Sequence, residues 1–303
     1  MQPNLSIIVP HKNDPVRLES CLAGLSAQVE SGDEIIVVDN GSGDHARAAA
    51  EGACWRMGAR FFSCDRGGSY AARNVGIEQA KNDVFVFTDA DCRPAAEFLP
   101  SYRAWFATKR APAIAAGPVA LVPRRGGRFN AWECIDRVYG FPQAEMVQRS
   151  GTAMTANLAV SRAAVEQWGA FDARLFSGGD VEFSRRVSSR VPGGMGWVPG
   201  ATILHPTRAT RGEHLRRMMR THEGLERLAR QAGAVGATKG TVWRAAIGRP
   251  SARWKQILHL ADASLPAKAW ALVCLADLRL ARMRYKARLR RELDLGRLAR
   301  EVN

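Results

Sequence analysis

No two cysteines in this chain are spaced C-x-x-C, and none of the six (Cys21, Cys54, Cys64, Cys92, Cys134, Cys274) has a neighbour at metal-ligand spacing. That argues against a zinc site, and a chain of 303 residues can bury a core without a disulfide framework. Reduced, mostly buried thiols are expected, as in a reducing compartment. Nor does any stretch approach the roughly 18 uninterrupted apolar residues of a membrane span. The best candidate, "AWALVCLADL", is broken at Asp277. The opening "MQPNLSIIVPHKND" lacks a basic region followed by a long apolar run, so a secretory leader is not expected. Internal repeats and low-complexity tracts are absent too. Together these absences point to a cytosolic chain.

Hydrophobic residues at 46% and charged residues at 24% are ordinary for a soluble globular protein. The net charge of +15 is not evenly placed. Residues 1–207 carry 22 Lys and Arg against 21 Asp and Glu, whereas residues 208–303 carry 22 against 8. The last third therefore needs its own explanation.

Apolar β-branched runs, "LSIIVP" and "DEIIVVDNGS", read as buried strands closed by Pro or Asn-Gly-Ser. Between them Val16, Leu18, Leu22 and Leu25 recur at near-helical spacing, with Asp14 as N-cap before Pro15. The alternation continues through a helix at "HARAAAEGACWRMGA", a strand at "RFFSC", a helix at "SYAARNVGIEQAK" and a strand at "DVFVFTD". Strands alternating with helices predict a parallel α/β sheet, whose ligands lie beyond the carboxyl ends of the strands. Further on, "AIAAGPVALVP" reads as strand, turn, strand. "TANLAVSR", "AAVEQWGAF", "GGDVEFSRRVSSR" and "GGMGWVPGATILHP" read as strand, helix, helix, strand.

Several charged residues fall where such a sheet would present them. Asp89 and Asp91 follow the apolar run "VFVFT", and in extended chain residues i and i+2 point to one side. Two carboxylates held together need a cation or a shared proton, and Mg²⁺ or Mn²⁺ carrying a diphosphate meets that need. The plainer alternative is a surface turn before Pro94. Asp39 ends the second strand, where it either closes an Asx-turn or accepts hydrogen bonds from a base or ribose. "RGGSYAARNVG" brings Arg73 to a helix start near phosphate or leaves it an ordinary surface arginine; with no Gly-Lys-Ser/Thr after its glycines it is not a Walker A loop. Asp180 stands at a helix N-terminus after two glycines, as cap or as general base, with Glu182 as its rival. His205 ends a strand, as a structural histidine or a third metal ligand, and Arg208 beyond it is a candidate partner for phosphate.

In order and spacing, "LSIIVPHKND", "EIIVVDNGSGD", "SYAARNVGIEQA", "VFVFTDADCRP", "TANLAVSRAAVEQWGAFD" and "GGDVEFSRR" resemble the catalytic domain of glycosyltransferase family 2, of the GT-A fold. The resemblance runs from about Leu5 to His205. It implies an inverting, metal-dependent transfer of sugar from a nucleoside diphosphate sugar to an acceptor hydroxyl. It implies Pro10 and Asn13 in the first nucleotide-contacting loop, Asp39 on base or ribose, and Arg73 holding the nucleotide. Asp89 and Asp91 match the D-x-D motif for metal and diphosphate, Asn157 lies in the segment that borders the donor sugar, and Asp180 matches the base. Two positions depart from the pattern. Gly179 stands where the family usually has Glu, and His11-Lys12 where an aromatic is common.

The expected architecture is thus a GT-A, Rossmann-like, mostly parallel sheet with flanking helices over 1–207, plus a basic helical extension over 208–303. In that extension Leu215, Met218, Met219, His222, Leu225 and Leu228 form one helical stripe. Trp270, Leu272, Val273, Leu275, Leu278 and Met283 precede or interleave with Arg282, Arg284, Lys286, Arg288, Arg290 and Arg291. These helices either lie on anionic lipid at the inner face of the cytoplasmic membrane, suiting a lipid-linked or glycan acceptor, or cover the catalytic domain or a second copy of the chain. No nucleic-acid module accompanies them. The leading reading is a glycosyltransferase of surface polysaccharide or glycolipid synthesis. A nucleotidyltransferase-like sugar-nucleotide enzyme and a non-catalytic scaffold of the same fold are the alternatives.

Overall fold

The computed structural model describes residues 2–108, 111–233 and 253–301. The chain forms two units. The first comprises Met1–Val122, Phe141–Pro206 and Glu223–Gly248, and the second Pro123–Gly140, Thr207–His222 and Arg249–Asn303.

In the first unit the predicted alternation is present. The strands and helices run β1 (Leu5–His11), α1 (Pro15–Ser26), β2 (Glu34–Asp39), α2 (Asp44–Arg56), β3 (Arg60–Ser63), α3 (Ser69–Gln79) and β4 (Val84–Thr88). After them come the short β5 (Arg93–Pro94), α4 (Phe98–Ala107), β6 (Ile114–Ala116) and β7 (Val119–Val122). A seven-stranded sheet has the order β3-β2-β1-β4-β8-β6-β9, where β8 is Asn157–Ser161 and β9 is Met195–Trp197. Four of its six pairings are parallel, and only β8 runs against its neighbours β4 and β6. A smaller sheet has the order β5-β10-β7, with β10 at Ile203–Pro206.

The large sheet is buried on both faces, as its near-continuous apolar strands require. Leu5, Ile7, Val9, Ile35, Val37, Val84 and Val86 pack with α1, α2 and α4 on one side. Ile8, Ile36, Val38, Phe85 and Phe87 pack on the other, with α3 and with α8 (Gly179–Ser188). Close approach of α3 depends on Gly76, where a Cβ would run into the Ile8 side chain. At α1, Asp14 caps the helix by accepting from the Arg17 amide, with Pro15 in the first turn. Its inward face is Leu18, Cys21, Leu22 and Leu25, while Val16 faces solvent. All six cysteines are free and buried.

The strand, turn, strand expected of "AIAAGPVALVP" is present as β6 and β7, which join different sheets. Two local expectations are corrected. "GGMGWVPGATILHP" is likewise two strands, β9 and β10, in different sheets. A helix unmarked by sequence periodicity, α6, covers Gln143–Ser150; α5 (Ala131–Tyr139) precedes it, and α7 (Arg162–Trp168) follows β8.

The second unit is helical. Its core gathers Phe129, Ala131, Cys134 and Ile135 with Ile257, Ala263, Ala271, Cys274 and Leu275. These come from α5, α10 (Trp254–Leu258) and α11 (Leu265–Glu301) and from the segments beside them. The long α9 (Arg211–Gly233) buries His222 of the expected stripe, but it also buries His214, which lay outside that stripe, and leaves Met219 exposed. The side chains of Leu225, Leu228, Lys286, Arg290 and Arg291 lie outside the described residues. On α11, Ala271, Cys274 and Leu275 face inward, whereas Trp270, Val273 and Met283 are exposed. No described helix is long and apolar enough to cross a membrane.

One buried ion pair ties α4 to the turn that leads into β2. The Arg103 guanidinium meets both Asp33 oxygens, at 3.0 and 2.7 Å, and both side chains are almost fully buried. Burial alone would raise the Asp33 carboxyl. The Arg103 bonds and the Glu30 and Leu5 amides outweigh it and hold the group below its usual value. Its contribution is present above the unfolded carboxylate value of about 4 and is lost as pH falls through the lower folded value. Arg103→Ala leaves that charge unpaired and should cost about 3–5 kcal/mol in a denaturant melt at pH 7, with a smaller deficit at low pH.

Candidate active site

The β1–β2 register sets His11 beside Asp39 at two strand ends. His11 Nδ1 lies 3.1 Å from Asp39 Oδ1, while the Asp14 amide donates to Nε2 at 3.1 Å. Because Nε2 accepts, Nδ1 carries the hydrogen and donates to the carboxylate. Asp39 also accepts from the Ser42 hydroxyl at 2.5 Å and the Ser42 amide at 3.1 Å. Asp39 thus closes the turn after β2 through Ser42, three residues on. Burial would raise its carboxyl, but these donors hold it below the usual value. Asn13 adopts a left-handed φ of 56°. Its amide donates to Ser42 Oγ at 2.8 Å and its side-chain oxygen accepts from Gly43 at 2.9 Å. Pro10, half-buried near the end of β1, precedes this His11–Asn13–Ser42 cluster.

At the end of β4 the chain turns through Asp89 and Asp91. Arg73, buried on α3, donates to Asp89 Oδ1 at 2.5 Å. Its guanidinium thus braces a carboxylate of the D-x-D pair. Asp91 lies 3.6 Å from Arg17 and 3.6 Å from His205 Nε2. The antiparallel pairing of β5 with β10 delivers that histidine, since Leu204 opposes Arg93 and the next residue reaches back toward Asp91. His205 Nδ1 is 2.7 Å from the Pro206 carbonyl, which only accepts, so Nδ1 carries a hydrogen. Nε2 then faces a carboxylate, an arrangement that calls for a proton or a cation between them.

Asp89, Asp91, Cys92 and His205 each offer a ligand atom, all within 4.8 Å of one another. The set suits a hard divalent cation: two carboxylates and one imidazole oriented by its second nitrogen. Cys92 fits less well. Burial, then Asp89 and Asp91, push its thiol well above the ordinary value and keep it protonated. Burial first, with help from Asp89, also raises the Asp91 carboxyl, against the pull of His205 and Arg17.

Asp180 lies in the first turn of α8, whose N-cap is Gly178. Its Oδ1 accepts from the Tyr70 hydroxyl at 3.1 Å and the Val181 amide at 2.9 Å. Burial raises this carboxyl above its usual value, as does Asp89, while the Val181 amide, Tyr70 and Arg73 oppose them. Glu182 is gripped at both oxygens by Arg186, at 2.7 and 3.0 Å. Both its oxygens are thus engaged, unlike those of Asp180.

The side chain of Asn157 is not placed to touch a donor, contrary to expectation. It is fully buried, its oxygen accepts from Tyr102 at 2.5 Å, and its two N–H groups donate to Pro118 and Ala201 carbonyls at 2.8 and 2.7 Å. Every hydrogen-bonding position an amide readily fills is used. Arg208 donates to Asp136 of α5, forming an ion pair internal to the second unit. Tyr70, His11, Arg17 and Ser42 belong to the site or its frame but were not among the expected site residues, although Tyr70, His11 and Ser42 lie within the quoted motifs. The one available signal was His11, a polar residue at an inward strand position.

A mostly parallel sheet whose β4 runs into a carboxylate pair, with a helix-borne aspartate within electrostatic reach, agrees with the GT-A architecture that the sequence motifs resemble. The model of glycosyl transferase family 2 matches residues 6–151. Glycosyltransferase AglE of Haloferax volcanii is 30% identical over 226 residues, 73% of either chain. This chain belongs to glycosyltransferase family 2, and its role is sugar transfer. Among solved structures, the mannosyltransferase PcManGT of Pyrobaculum calidifontis, in complex with GDP-Man and Mn²⁺, superposes with TM-score 0.57 at 22% identity. The match covers 93% of this chain and 75% of that one. S. aureus TarS 1-349 in complex with UDP-GlcNAc gives TM-score 0.54 at 18% identity, over 69% of this chain and 60% of that one. Against a longer TarS structure the chain spans 39% of its length. At such identities the likeness establishes the fold.

Asn157→Ala should orphan the Tyr102 hydroxyl and two carbonyls and lower stability by about 3 kcal/mol in a urea melt. Nucleotide-sugar affinity of the folded variant should stay within about twofold of the parent, since the amide is buried and its bonds are spent within the protein. Weakened binding at unchanged stability would return Asn157 to the donor site.

Proposed function

We propose that this protein catalyses a metal-dependent, inverting transfer of sugar from a nucleoside diphosphate sugar to an acceptor hydroxyl. The observation that carries the reading is the Asp89, Asp91 and His205 cluster beyond β4, with Asp180 within electrostatic reach of Asp89. Asp89, Asp91 and His205 would hold Mn²⁺ or Mg²⁺, which when bound supplies charge neutralisation for the departing diphosphate. The ligands named for PcManGT and TarS, GDP-Man with Mn²⁺ and UDP-GlcNAc, support a sugar nucleotide as donor. Pro10, Asn13 and Asp39 frame the loop proposed to receive its nucleoside.

Arg73 fixes Asp89 in the orientation that meets the diphosphate. Asp180 removes the acceptor's proton: the O–H bond breaks, its electrons form the new bond to the anomeric carbon, and the bond to the diphosphate oxygen breaks on the opposite face. One displacement of this kind inverts the anomeric configuration. Because burial holds the Asp180 carboxyl above its usual value, the rate should rise with pH along a limb above about 4.

UDP-, GDP- and dTDP-sugars titrated with Mn²⁺ or Mg²⁺ test this reading. Asp91→Ala should abolish metal-dependent binding. Asp180→Asn should keep donor affinity and lose transfer by about 10²-fold or more. Metal-independent binding that Asp91→Ala leaves unchanged would sink the enzyme reading.

The second unit supports a location at an anionic membrane surface, where a lipid-linked acceptor of polysaccharide or glycolipid synthesis would be met. Trp270, Val273, Leu280 and Met283 recur at helical spacing on α11, all exposed, among the exposed cations Arg279, Arg284 and Arg288. An apolar face interleaved with cations matches an interface of acyl chains under anionic headgroups. In flotation assays the protein should rise with vesicles containing phosphatidylglycerol and stay behind with pure phosphatidylcholine. Leu280→Glu with Met283→Glu should cut recovery by about tenfold or more, as should high salt. Equal recovery of the double variant would leave the face to another partner.

A further inference from the structure

Asp180 is held asymmetrically. Tyr70 and the Val181 amide both donate to Oδ1, while no hydrogen bond or ion pair from any described residue engages Oδ2. The phenol that makes one of those bonds is itself fixed. Tyr70 is 5% exposed and stacks on Phe171, with ring centroids 5.7 Å apart and planes 22° apart. Phe171 in turn packs against Phe87 of β4 and Phe183 of α8, at 5.2 and 4.1 Å. The ring therefore has one place to stand, and that place adjoins Gly179. A Cβ built on Gly179 would lie 2.7 Å from Tyr70 Cε2 and 2.8 Å from Cδ2. No side chain fits there while the ring stays.

We propose that Tyr70 is a positioning residue for Asp180. It occupies Oδ1 so that Oδ2 is the oxygen that takes the acceptor's proton, and Gly179 is glycine because the Tyr70 ring fills the space beside it. The inference rests on Asp180 being the base. Three observations of different kinds converge on it: a hydrogen bond to one oxygen, a second oxygen left open, and a steric exclusion at the preceding residue. Burial keeps the phenol protonated far above neutral pH, so it remains a donor. A carboxylate with one oxygen fixed loses little orientational freedom on reaction, which is what a proton acceptor in a displacement requires.

Tyr70→Phe tests this, because it keeps the ring and removes only the donor. Release of nucleoside diphosphate from UDP-GlcNAc or GDP-mannose with Mn²⁺, water serving as acceptor, should fall about tenfold in kcat. KM for the donor should stay within about twofold, since the donor's contacts are untouched. The acid limb of the pH profile should move upward, since the charged carboxylate has lost a donor. The other charged groups facing Asp180, Asp89 and Arg73, are unchanged in this variant. A second measurement needs no substrate. In protein labelled with carbon-13 at aspartate carboxyls, the resonance assigned by its loss in Asp180→Asn should titrate at higher pH in Tyr70→Phe. Gly179→Ala should slow turnover in the parent and have no further effect in a Tyr70→Ala background. Parent-like turnover and titration of Tyr70→Phe beside an inactive Asp180→Asn would overturn this inference alone. An active Asp180→Asn would overturn the base assignment and the inference with it.

Discussion

Asp89 and Asp91 repel one another, and much of the first unit's local structure answers that repulsion. The parallel sheet, buried on both faces, leaves polar groups no exit except at the strand ends. Carboxylates presented there sit partly out of water, where an uncompensated charge is costly. Each compensating group arrives from a different element: Arg73 from α3, Arg17 from α1, and His205 from β10. Arg73 and His205 are nearly buried and so cannot wander, which turns the site into a fixed pattern of charge before any ligand enters. A cation that settled between the carboxylates would relieve the same repulsion the arginines already reduce.

Buried amides and ion pairs give the site its frame. Asn157 clamps the carbonyls of Pro118 and Ala201, and Gln143 donates to the Asn157 carbonyl at 2.8 Å, so α6 and β8 share one polar network. The antiparallel insertion of β8 beside β4 pairs Thr88 with Asn157, immediately before Asp89. The latch therefore ends where the carboxylates begin. Loss of such a network softens the frame, whereas loss of Asp91 changes the charge pattern at constant frame, and the two defects separate in stability against binding.

What the sequence made legible was local. Buried strands, the Asp14 cap, the alternation of strand and helix, and the carboxylates after "VFVFT" each follow from residues within a few positions of one another. What stayed hidden depends on partners distant in the chain. Asn157 looks like a ligand residue until Tyr102, Pro118 and Ala201 are seen to use its amide. Arg73 looks exposed in "SYAARN" until α3 packs it toward Asp89, and Val16 looks like core until the turn of α1 is fixed by Cys21. Likewise on α9 the expected His222 is turned inward, but His214, outside the expected stripe, is buried with it and Met219 is left exposed. Periodicity gives a helix its apolar content, but tertiary contacts choose the face.

Asp180 and Glu182 show how far that context reaches. They sit two residues apart in the first turn of one helix, and the helix N-terminus favours both as anions. Their fates diverge through the cations and donors that meet them. Arg186, itself tied to the carbonyls of Gly169 and Ala170, closes on both oxygens of Glu182 and makes it a brace between α8 and the loop after α7. Asp180 meets no such fork. It meets a phenol and one amide, both on the same oxygen, and burial raises its carboxyl above the usual value. A carboxylate bound at both oxygens by a guanidinium is used up as a brace, whereas one bound at a single oxygen by neutral donors still has its second oxygen available to accept a hydrogen bond.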